Sequence, residues 1–384
     1  MKHKLLCAFF AMSTISAFTQ KNYWHSISQS SALRLNNDKP LFTVAFQPVS
    51  YQVFTLDENA LALVLQQVSN EKNISAGIII SVPLANGSIE KFRIIESSVM
   101  QPQLQAKYQN IRSYIGEGVD DASRTIACSF TPLGFHASVM SLDEKTMYIN
   151  PVNKKAKLYA VYARNENDRS ENKLQCQLTG IQTETIATNR TAPKGNADDG
   201  RLRSFRLALC TTGEWSRFFM TGSEVTHKDS INTVMAAITV DLVRANQVYE
   251  RDLGIHMNFV ADEDTIIFLN PNSDPFTLLN LNSKCQQTCD SYIGNANYDI
   301  GHVVAKGSDN GNAGCIGCVC VPGFKGSGMS TYSHPDLTDY FVIDYWTHEM
   351  GHQYGANHTF TFSNEGTAAQ VEPGSGSTIM AMQV

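Results

Sequence analysis

The sequence lacks several features that define common classes of protein. After residue 20, no apolar run approaches the roughly 18–20 residues that a membrane-spanning helix needs, so we expect a mature protein that does not enter the membrane. Positive charge is not in excess, since 30 Lys and Arg face 36 Asp and Glu and leave a formal net charge of −6. That balance argues against nucleic acid as the main partner, and likewise against an anionic membrane surface. Patterns of serine or aspartic peptidases are also missing.

The first twenty residues differ from the rest of the chain. Lys2 and Lys4 precede a mostly apolar stretch, Leu5–Ala17, which is too short to span a bilayer. Small and polar residues follow up to Gln20. This order predicts a secretory signal peptide at residues 1–20, and therefore a secreted protein. The alternative is a buried N-terminal helix.

Export would place the remaining cysteines in an oxidising compartment, where disulfides form. The C-terminal half contains six cysteines, which allow fifteen pairings, and the sequence does not choose among them. The spacings Cys285-x3-Cys289 and Cys315-x2-Cys318 are also compatible with a structural zinc site. Disulfides are the favoured interpretation, because no histidine completes a familiar zinc-finger spacing. The six residues are Cys210, Cys285, Cys289, Cys315, Cys318 and Cys320.

Three parts of different composition follow the signal peptide. Residues 21–187 are rich in strand patterns and contain no catalytic constellation. Residues 188–201 contain almost nothing that could be buried and predict an exposed linker, with Arg201 and Arg203 as candidate processing sites. Residues 202–384 mix strands with helices, as in an α+β or α/β domain.

Hydrophobic periodicity predicts individual elements in both parts. The turn Asn86-Gly87 joins two strands, at 77–82 and 89–95. A long amphipathic helix runs from about residue 230 to 253, with Asp229 as its N-cap and Gly254 as its left-handed end. The other predictions are a helix at 57–68, strands at 125–130, 136–140, 205–210, 255–260, 265–269 and 300–305, and a disulfide-held loop over 307–328.

The last predicted helix, residues 340–354, carries the side chains that indicate a function. Because residues four apart lie on one face of a helix, His348 and His352 can bind the same zinc ion. Glu349 lies beside them, where it can reach an activated water without becoming a ligand. Gly355 lets the chain turn sharply, so that His358 can return as a third ligand. A fourth position then stays open for water and substrate, as in catalytic zinc sites.

The pattern from His348 to His358 resembles the extended zinc motif HExxHxxGxxH of the metzincins. Downstream, Ser377-Thr378-Ile379-Met380 resembles the Met-turn of that clan, whose methionine lies beneath the zinc, so Met380 is implied as a structural residue. The residues around both motifs are similar to the reprolysin-like (adamalysin-related) branch, particularly its secreted bacterial members. The resemblance extends from about residue 202 to the C-terminus.

The resemblance implies a fold and an activity. The fold would be α+β, a metzincin-like catalytic domain with a mixed sheet and an active-site helix, preceded by a β-rich pro-region. The activity would be a secreted zinc metalloendopeptidase that cleaves proteins or peptides. Its zinc ion would be held by His348, His352 and His358, and Glu349 would be the general base.

A pro-region cysteine thiolate keeps some metzincin precursors latent by occupying the open zinc position. In this chain Cys128 and Cys176 are the available residues, and Cys176 is the nearer to the linker. Cys176 is therefore the candidate cysteine switch. The alternatives are a disulfide between the two cysteines, or an inert Cys176 at the surface.

Other functions remain compatible with the sequence. Metzincin domains continue past the Met-turn, whereas this sequence stops at Val384, so we expect a truncated chain. A truncated domain could be a zinc-binding protein without catalytic activity, and a zinc amidase would use the same water activation. The acidic run Asp262-Glu263-Asp264 could bind calcium, although a solvated turn is the favoured interpretation.

Overall fold

The computed structural model describes residues 22–42, 46–68, 73–153, 155, 157–165, 175–177, 199–334, 339–359 and 378–381. The predicted signal peptide and most of the predicted linker lie outside these residues, so both stay predictions. Within the described ranges, no helix combines the length and apolar character that crossing a membrane requires.

The N-terminal part is built around an antiparallel sheet of nine strands in the order β1-β2-β9-β8-β7-β6-β5-β4-β3. Its strands are β1 (Trp24–Ile27), β2 (Gln52–Leu56), β3 (Ile78–Pro83), β4 (Ile89–Glu96), β5 (Arg112–Gly118), β6 (Thr125–Thr131), β7 (Gly134–Met140), β8 (Met147–Asn153) and β9 (Leu158–Ala163). Its helices are α1 (Gln29–Leu35), α2 (Glu58–Leu65) and α3 (Pro102–Lys107), with a 3₁₀ turn at Ile74–Ala76. The β-rich first half is confirmed.

The C-terminal part contains a mixed sheet of six strands in the order β10-β14-β15-β13-β11-β12. Its strands are β10 (Gln175–Cys176), β11 (Arg203–Thr211), β12 (Ile255–Phe259), β13 (Ile300–Lys306), β14 (Asn310–Asn312) and β15 (Gly328–Tyr332). Its helices are α4 (Gly213–Phe219), α5 (His227–Leu253), α6 (Leu281–Thr288) and α7 (His348–Tyr354), with π-helical turns at Cys289–Ile293 and Tyr340–Thr347 and 3₁₀ turns at Glu263–Thr265 and Asn295–Asn297. Strands and helices intermix, so the α+β prediction is confirmed.

The direction of β14 distinguishes one edge of this sheet. β11, β12, β13 and β15 pair in parallel, whereas β14 is antiparallel to β15. β10 pairs with the outer side of β14 in parallel orientation. The short segment Gln175–Cys176 is therefore the outermost strand on this side of the sheet.

Helix α5 lies between the two sheets and packs against both. On the N-terminal side, Gln247 accepts a hydrogen bond from the Ser138 hydroxyl, and Arg244 donates to Asn150. At the far edge, Phe259 of β12 exchanges backbone hydrogen bonds with Val99 and Gln101. Because apolar residues of both parts join one core, the two halves share a continuous interior.

Two predicted details of this part are wrong. Thr226 caps α5 rather than Asp229, because the Thr226 side chain and the Asp229 carboxylate form a reciprocal capping box around the first turn. Residues 265–269 do not form a strand, and Ile267 alone makes a bridge, to Thr211. The buried Glu263 carboxylate accepts a hydrogen bond from the Leu209 amide at 2.9 Å. Residues Glu263–Thr265 form a 3₁₀ turn at this contact, so the chain does not continue there as a strand beside β11.

The cysteine-rich stretch 307–328 is only partly the loop that the sequence predicts. It contains β14 as well as a disulfide between Cys315 and Cys318. Its loop backbone bonds to the end of α7, through Gly317 N–H to the His352 carbonyl. This stretch therefore helps to position the helix that carries the histidines.

Candidate metal centre

The predicted helix 340–354 is present, but its two halves differ in winding. Residues Tyr340–Thr347 are π-helical, and the chain tightens into an α-helix at His348. Wide turns of this kind recur at functional sites. Trp346 is fully buried, and Tyr249 of α5 donates a 2.8 Å hydrogen bond to the Thr347 carbonyl. The first turn of α7 is thereby anchored to the long central helix.

The three histidines that the sequence singles out meet at one point. His348 Nε2 lies 3.1 Å from His352 Nε2, and His358 Nε2 lies 3.2 Å from each of them. All three side chains are buried. Gly355 makes this convergence possible, because its φ of 113° turns the chain out of the helix so that His358 folds back.

Backbone carbonyls fix the orientation of two of these rings. The Ile379 carbonyl lies 2.7 Å from His348 Nδ1, and the Ala356 carbonyl lies 2.7 Å from His352 Nδ1. Since a carbonyl oxygen only accepts hydrogen bonds, Nδ1 carries the proton in both rings and Nε2 carries a lone pair. This arrangement is the usual support of a metal-binding histidine.

The donor set fits a zinc ion. Two nitrogens that each lie about 2.0–2.1 Å from a tetrahedral zinc are about 3.4 Å apart, close to the separations within this triad. Three imidazoles held on one side leave room for a further ligand, which is typical of catalytic rather than structural zinc. The residues therefore match the metal that the sequence motif implies.

Glu349 lies beside the triad in a fully buried position. Neither of its carboxylate oxygens makes a hydrogen bond of normal length with a described residue. Burial raises the pKa of Glu349 to about 8, while weaker contacts with the Cys176 thiol and the Ala313 backbone act in the opposite direction. A carboxylate that is buried without strong partners is suited to exchange a proton with a bound water.

Strand β14 passes close to this carboxylate at Gly311. A β-carbon at that position would overlap the Glu349 carboxylate, so any other residue there would push the Glu349 side chain aside. Gly311 lies in an Asn-Gly-Asn segment with little strand character, so the sequence alone does not single it out.

Replacement of this glycine tests its role. We expect Gly311→Ala to displace Glu349 and to lower kcat/KM on the order of a hundredfold, since small displacements of a catalytic group have costs of that size. The adjacent Asn310→Ala, on the other face of the strand, is the control. Zinc content, measured by atomic emission, should be unchanged in both variants. Full activity of Gly311→Ala would contradict the contact.

Cys176 reaches the same site from β10. Its sulfur lies 3.7 Å from His352 Nε2 and within 4.8 Å of the ligand nitrogens of all three histidines. The Gln177 amide donates to the Gly311 carbonyl at 2.9 Å, which extends the pairing of β10 with β14. Cys128, in contrast, is buried in the core of the nine-stranded sheet and is not disulfide-bonded. Of these two cysteines of the N-terminal part, the structure brings only Cys176 to the histidines.

Met380, the residue that the Met-turn resemblance singles out, packs against helix α7. Its sulfur occupies the space that a β-carbon on Gly351 would need. The Met380 carbonyl also accepts a hydrogen bond from the Thr359 amide at 3.4 Å. The turn at 378–381 thus supports α7 directly below the two histidines that the helix carries.

Comparison with protein families agrees with this geometry. Residues 202–383 match the family described as metallo-peptidase family M12B, reprolysin-like. The C-terminal part of the chain is thus similar to reprolysin-like metallopeptidases. The resemblance drawn from the zinc motif is therefore confirmed, and zinc is the metal that this family supports. The chain has no match among curated proteins.

A buried hydrogen-bond network holds the end of α7 in the reprolysin-like domain. Gln353 Nε2 donates to the Gly301 carbonyl at 2.9 Å, so Gln353 Oε1 accepts from His302 Nδ1 at 2.9 Å. His302 Nε2 then accepts from the Ser330 hydroxyl at 2.9 Å. The network ties α7 to β13 and β15, and it is invisible in the sequence because its members are far apart along the chain.

This network makes the domain sensitive to acid. Burial lowers the pKa of His302 to about 4, so the folded protein keeps this ring neutral while the unfolded chain takes up a proton near pH 6.5. The unfolded state binds more protons between these values, so the free energy of unfolding should decrease as the pH falls through this window, by at most about 3 kcal/mol. Urea denaturation of metal-free protein at several pH values measures this loss. His302→Gln should show less of it, and an identical pH profile would contradict the assignment.

The acidic run proposed for calcium does not converge in the structure. Glu263 points into the core, whereas Asp264 accepts hydrogen bonds from Lys107 and Tyr108 of the N-terminal part at 3.1 Å. In the described part of the chain, the groups able to hold a metal ion are the histidine–cysteine cluster and three buried cysteines. The calcium site stays a prediction.

Proposed function

We propose that the protein is a secreted zinc metalloendopeptidase, made as a precursor whose N-terminal part keeps it latent. The observation that carries this proposal is the convergence of His348, His352 and His358 within about 3.2 Å, with the buried Glu349 beside them. Membership of residues 202–383 in a metallopeptidase family supports the general reaction class.

In the proposed reaction, different residues bind the metal, transfer the proton and orient the histidine rings. When bound by the three histidines, zinc supplies the Lewis acidity that activates water and polarises a peptide carbonyl. Glu349 accepts the proton of the attacking water at a carboxylate oxygen and passes it to the leaving nitrogen. The carbonyls of Ile379 and Ala356 keep two histidine rings oriented throughout.

Strand β14, which becomes the edge of the sheet once β10 leaves, supports an endopeptidase rather than an amidase for small molecules. Gln175–Cys176 pairs with β14 through backbone hydrogen bonds, so this edge accepts an extended peptide next to Glu349. An extended substrate could bind along the same edge once the segment has left. Such binding uses the backbone, and it therefore suits the interior of a polypeptide.

The same contact explains how the precursor would be kept inactive. In the proposed latent form the Cys176 thiolate takes the position that water and substrate need, because thiolate is a strong zinc ligand. The N-terminal part also bonds to the chain that leads into α7, through Arg164 to Asp344 and Tyr162 to Asp339. Cleavage between residues 188 and 201 would separate Cys176 from the catalytic domain.

The place of that cleavage can be narrowed further. Arg203 lies within β11, and its amide donates to the Gly254 carbonyl at 2.8 Å. Cleavage after Arg203 would therefore remove a residue from the sheet, whereas Arg201 precedes the strand. Arg201 is the better of the two candidate processing sites.

Cleavage of blocked peptides tests the proposed function. The full chain should become active after brief trypsin treatment and trypsin inhibition, and it should then cut peptides that carry an acetylated N-terminus and an amidated C-terminus. A zinc chelator such as 1,10-phenanthroline should abolish the cleavage, and added zinc should restore it. Cleavage that persists in chelator would contradict the proposal, as would activity restricted to non-peptide amides.

A further inference from the structure

Three cysteines form a second cluster that the proposed reaction does not use. Cys210 lies on β11, Cys285 lies on α6, and Cys289 follows α6 directly. All three are buried in an apolar core, and their sulfurs lie within 4.8 Å of one another. None of the three forms a disulfide in the structure. Such a cluster can become a disulfide with a remaining thiol, or it can bind a thiophilic metal ion.

The surroundings favour the disulfide over a metal ion. The ionisable neighbours of the two helix cysteines are acids, with Glu263 close to Cys285 and Asp290 close to Cys289. Glu263 is fully buried, and one of its carboxylate oxygens has no hydrogen-bond partner among the described residues. Three thiolates around a divalent ion would add a net negative charge beside these acids, which an apolar core disfavours. A disulfide with one thiol is neutral.

Helix geometry excludes one of the three possible pairs. Cys285 and Cys289 are four residues apart on continuous helical backbone, where β-carbons are about 5–6 Å apart. A disulfide needs its β-carbons about 3.5–4.5 Å apart, so we do not expect a disulfide between Cys285 and Cys289. Cys210 and Cys289 come from different elements, and their sulfurs are 3.9 Å apart. A modest side-chain rotation would bring them into bonding distance.

We propose that Cys210 and Cys289 form a buried disulfide in the exported protein and that Cys285 remains a thiol. The bond would join β11, which precedes α5, to the end of α6. It forms by exchange: the two thiols lose two protons and two electrons to the disulfide of a thiol–disulfide oxidoreductase, which is reduced to two thiols. Because the finished core excludes solvent, the exchange takes place during folding, before α6 packs onto the sheet. The inference rests on the proposed export but not on the proposed peptidase reaction.

Peptide mapping without reduction tests this pairing on the full chain. Protein exported through an oxidising compartment is alkylated in denaturant, digested and analysed by mass spectrometry. We expect a peptide that links Cys210 to Cys289, with Cys285 alkylated. Recovery of all three residues in alkylated form would overturn the proposal, with or without bound zinc, and so would a bond that includes Cys285.

Two matched variants add a measurement of stability. Cys285→Ala should keep the cross-link and show the same drop in Tm on reduction as the parent protein. Cys289→Ala should lack the Cys210–Cys289 link, and reduction should then change its Tm less. Equal effects of reduction on both variants would contradict the assignment. If Cys289→Ala fails to fold, the mapping of the parent protein still decides the question.

Discussion

Replacing Glu349 by glutamine should abolish most turnover and leave the metal in place. The amide occupies nearly the same volume as the carboxylate, and the three histidines that hold the metal are unchanged. It cannot accept a proton, so the step in which water is deprotonated loses its base. General-base contributions have typical sizes of 10²–10⁴, and we expect a loss on the order of 10³-fold or more in kcat. The measurement is cleavage of a blocked peptide by the processed protein.

Metal content and folding are the controls for this variant. Glu349→Gln should bind one zinc per chain and give the circular dichroism spectrum of the parent. A loss of zinc together with activity would show that Glu349 supports the metal rather than the proton transfer. Substantial turnover with zinc bound would remove the general-base role altogether, while the metal site would stand.

Replacing Cys176 by alanine in the uncleaved precursor should release part of the latent activity. The pairing of β10 with β14 holds the Cys176 sulfur 3.7 Å from His352 Nε2, where a thiolate would compete with water and substrate for the metal. Removal of the thiol should raise the activity of the uncleaved chain about tenfold or more. The rise should remain below that of the processed enzyme, because backbone pairing between Gln175–Cys176 and β14 would still cover the edge strand.

Cys128→Ala is the matched control, since it removes a thiol from the same N-terminal part but far from the histidines. That variant should stay as latent as the parent. Activity should be followed with the processing site blocked, for example by Arg201→Gln, so that autolysis does not contribute. A Cys176→Ala precursor that remains fully latent would contradict the cysteine switch, although it would leave the peptidase proposal intact.

The sequence predicted those parts of the site that depend on local spacing. His348, Glu349 and His352 follow from a helical repeat, and Gly355 with His358 follows from a helix end, so their convergence requires only a few residues of chain. Cys176 was one of two candidates by its position in the chain. Its approach to His352 depends on the pairing of β10 with β14, which joins residues more than 130 positions apart.

Other features could not be predicted because they depend on packing between distant segments. Gly311 and the His302–Gln353–Ser330 network acquire their roles only when β13, β14 and β15 surround α7. In contrast, the capping box of α5 depends only on local residues, Thr226 and Asp229, and is therefore predictable from the sequence. Residues 265–269 have strand-like composition, but the buried side chain of Glu263 decides the course of the chain there.

X-ray absorption at the zinc edge identifies the atoms that bind the metal. For the uncleaved Glu349→Gln precursor, we expect one zinc with three nitrogens at about 2.0–2.1 Å and one sulfur at about 2.3 Å. The sulfur should disappear from the spectrum in Cys176→Ala. His358→Ala should lose most of its zinc. A zinc ion bound mainly by sulfur, or a folded protein that binds no zinc, would show that the three histidines do not form the metal site.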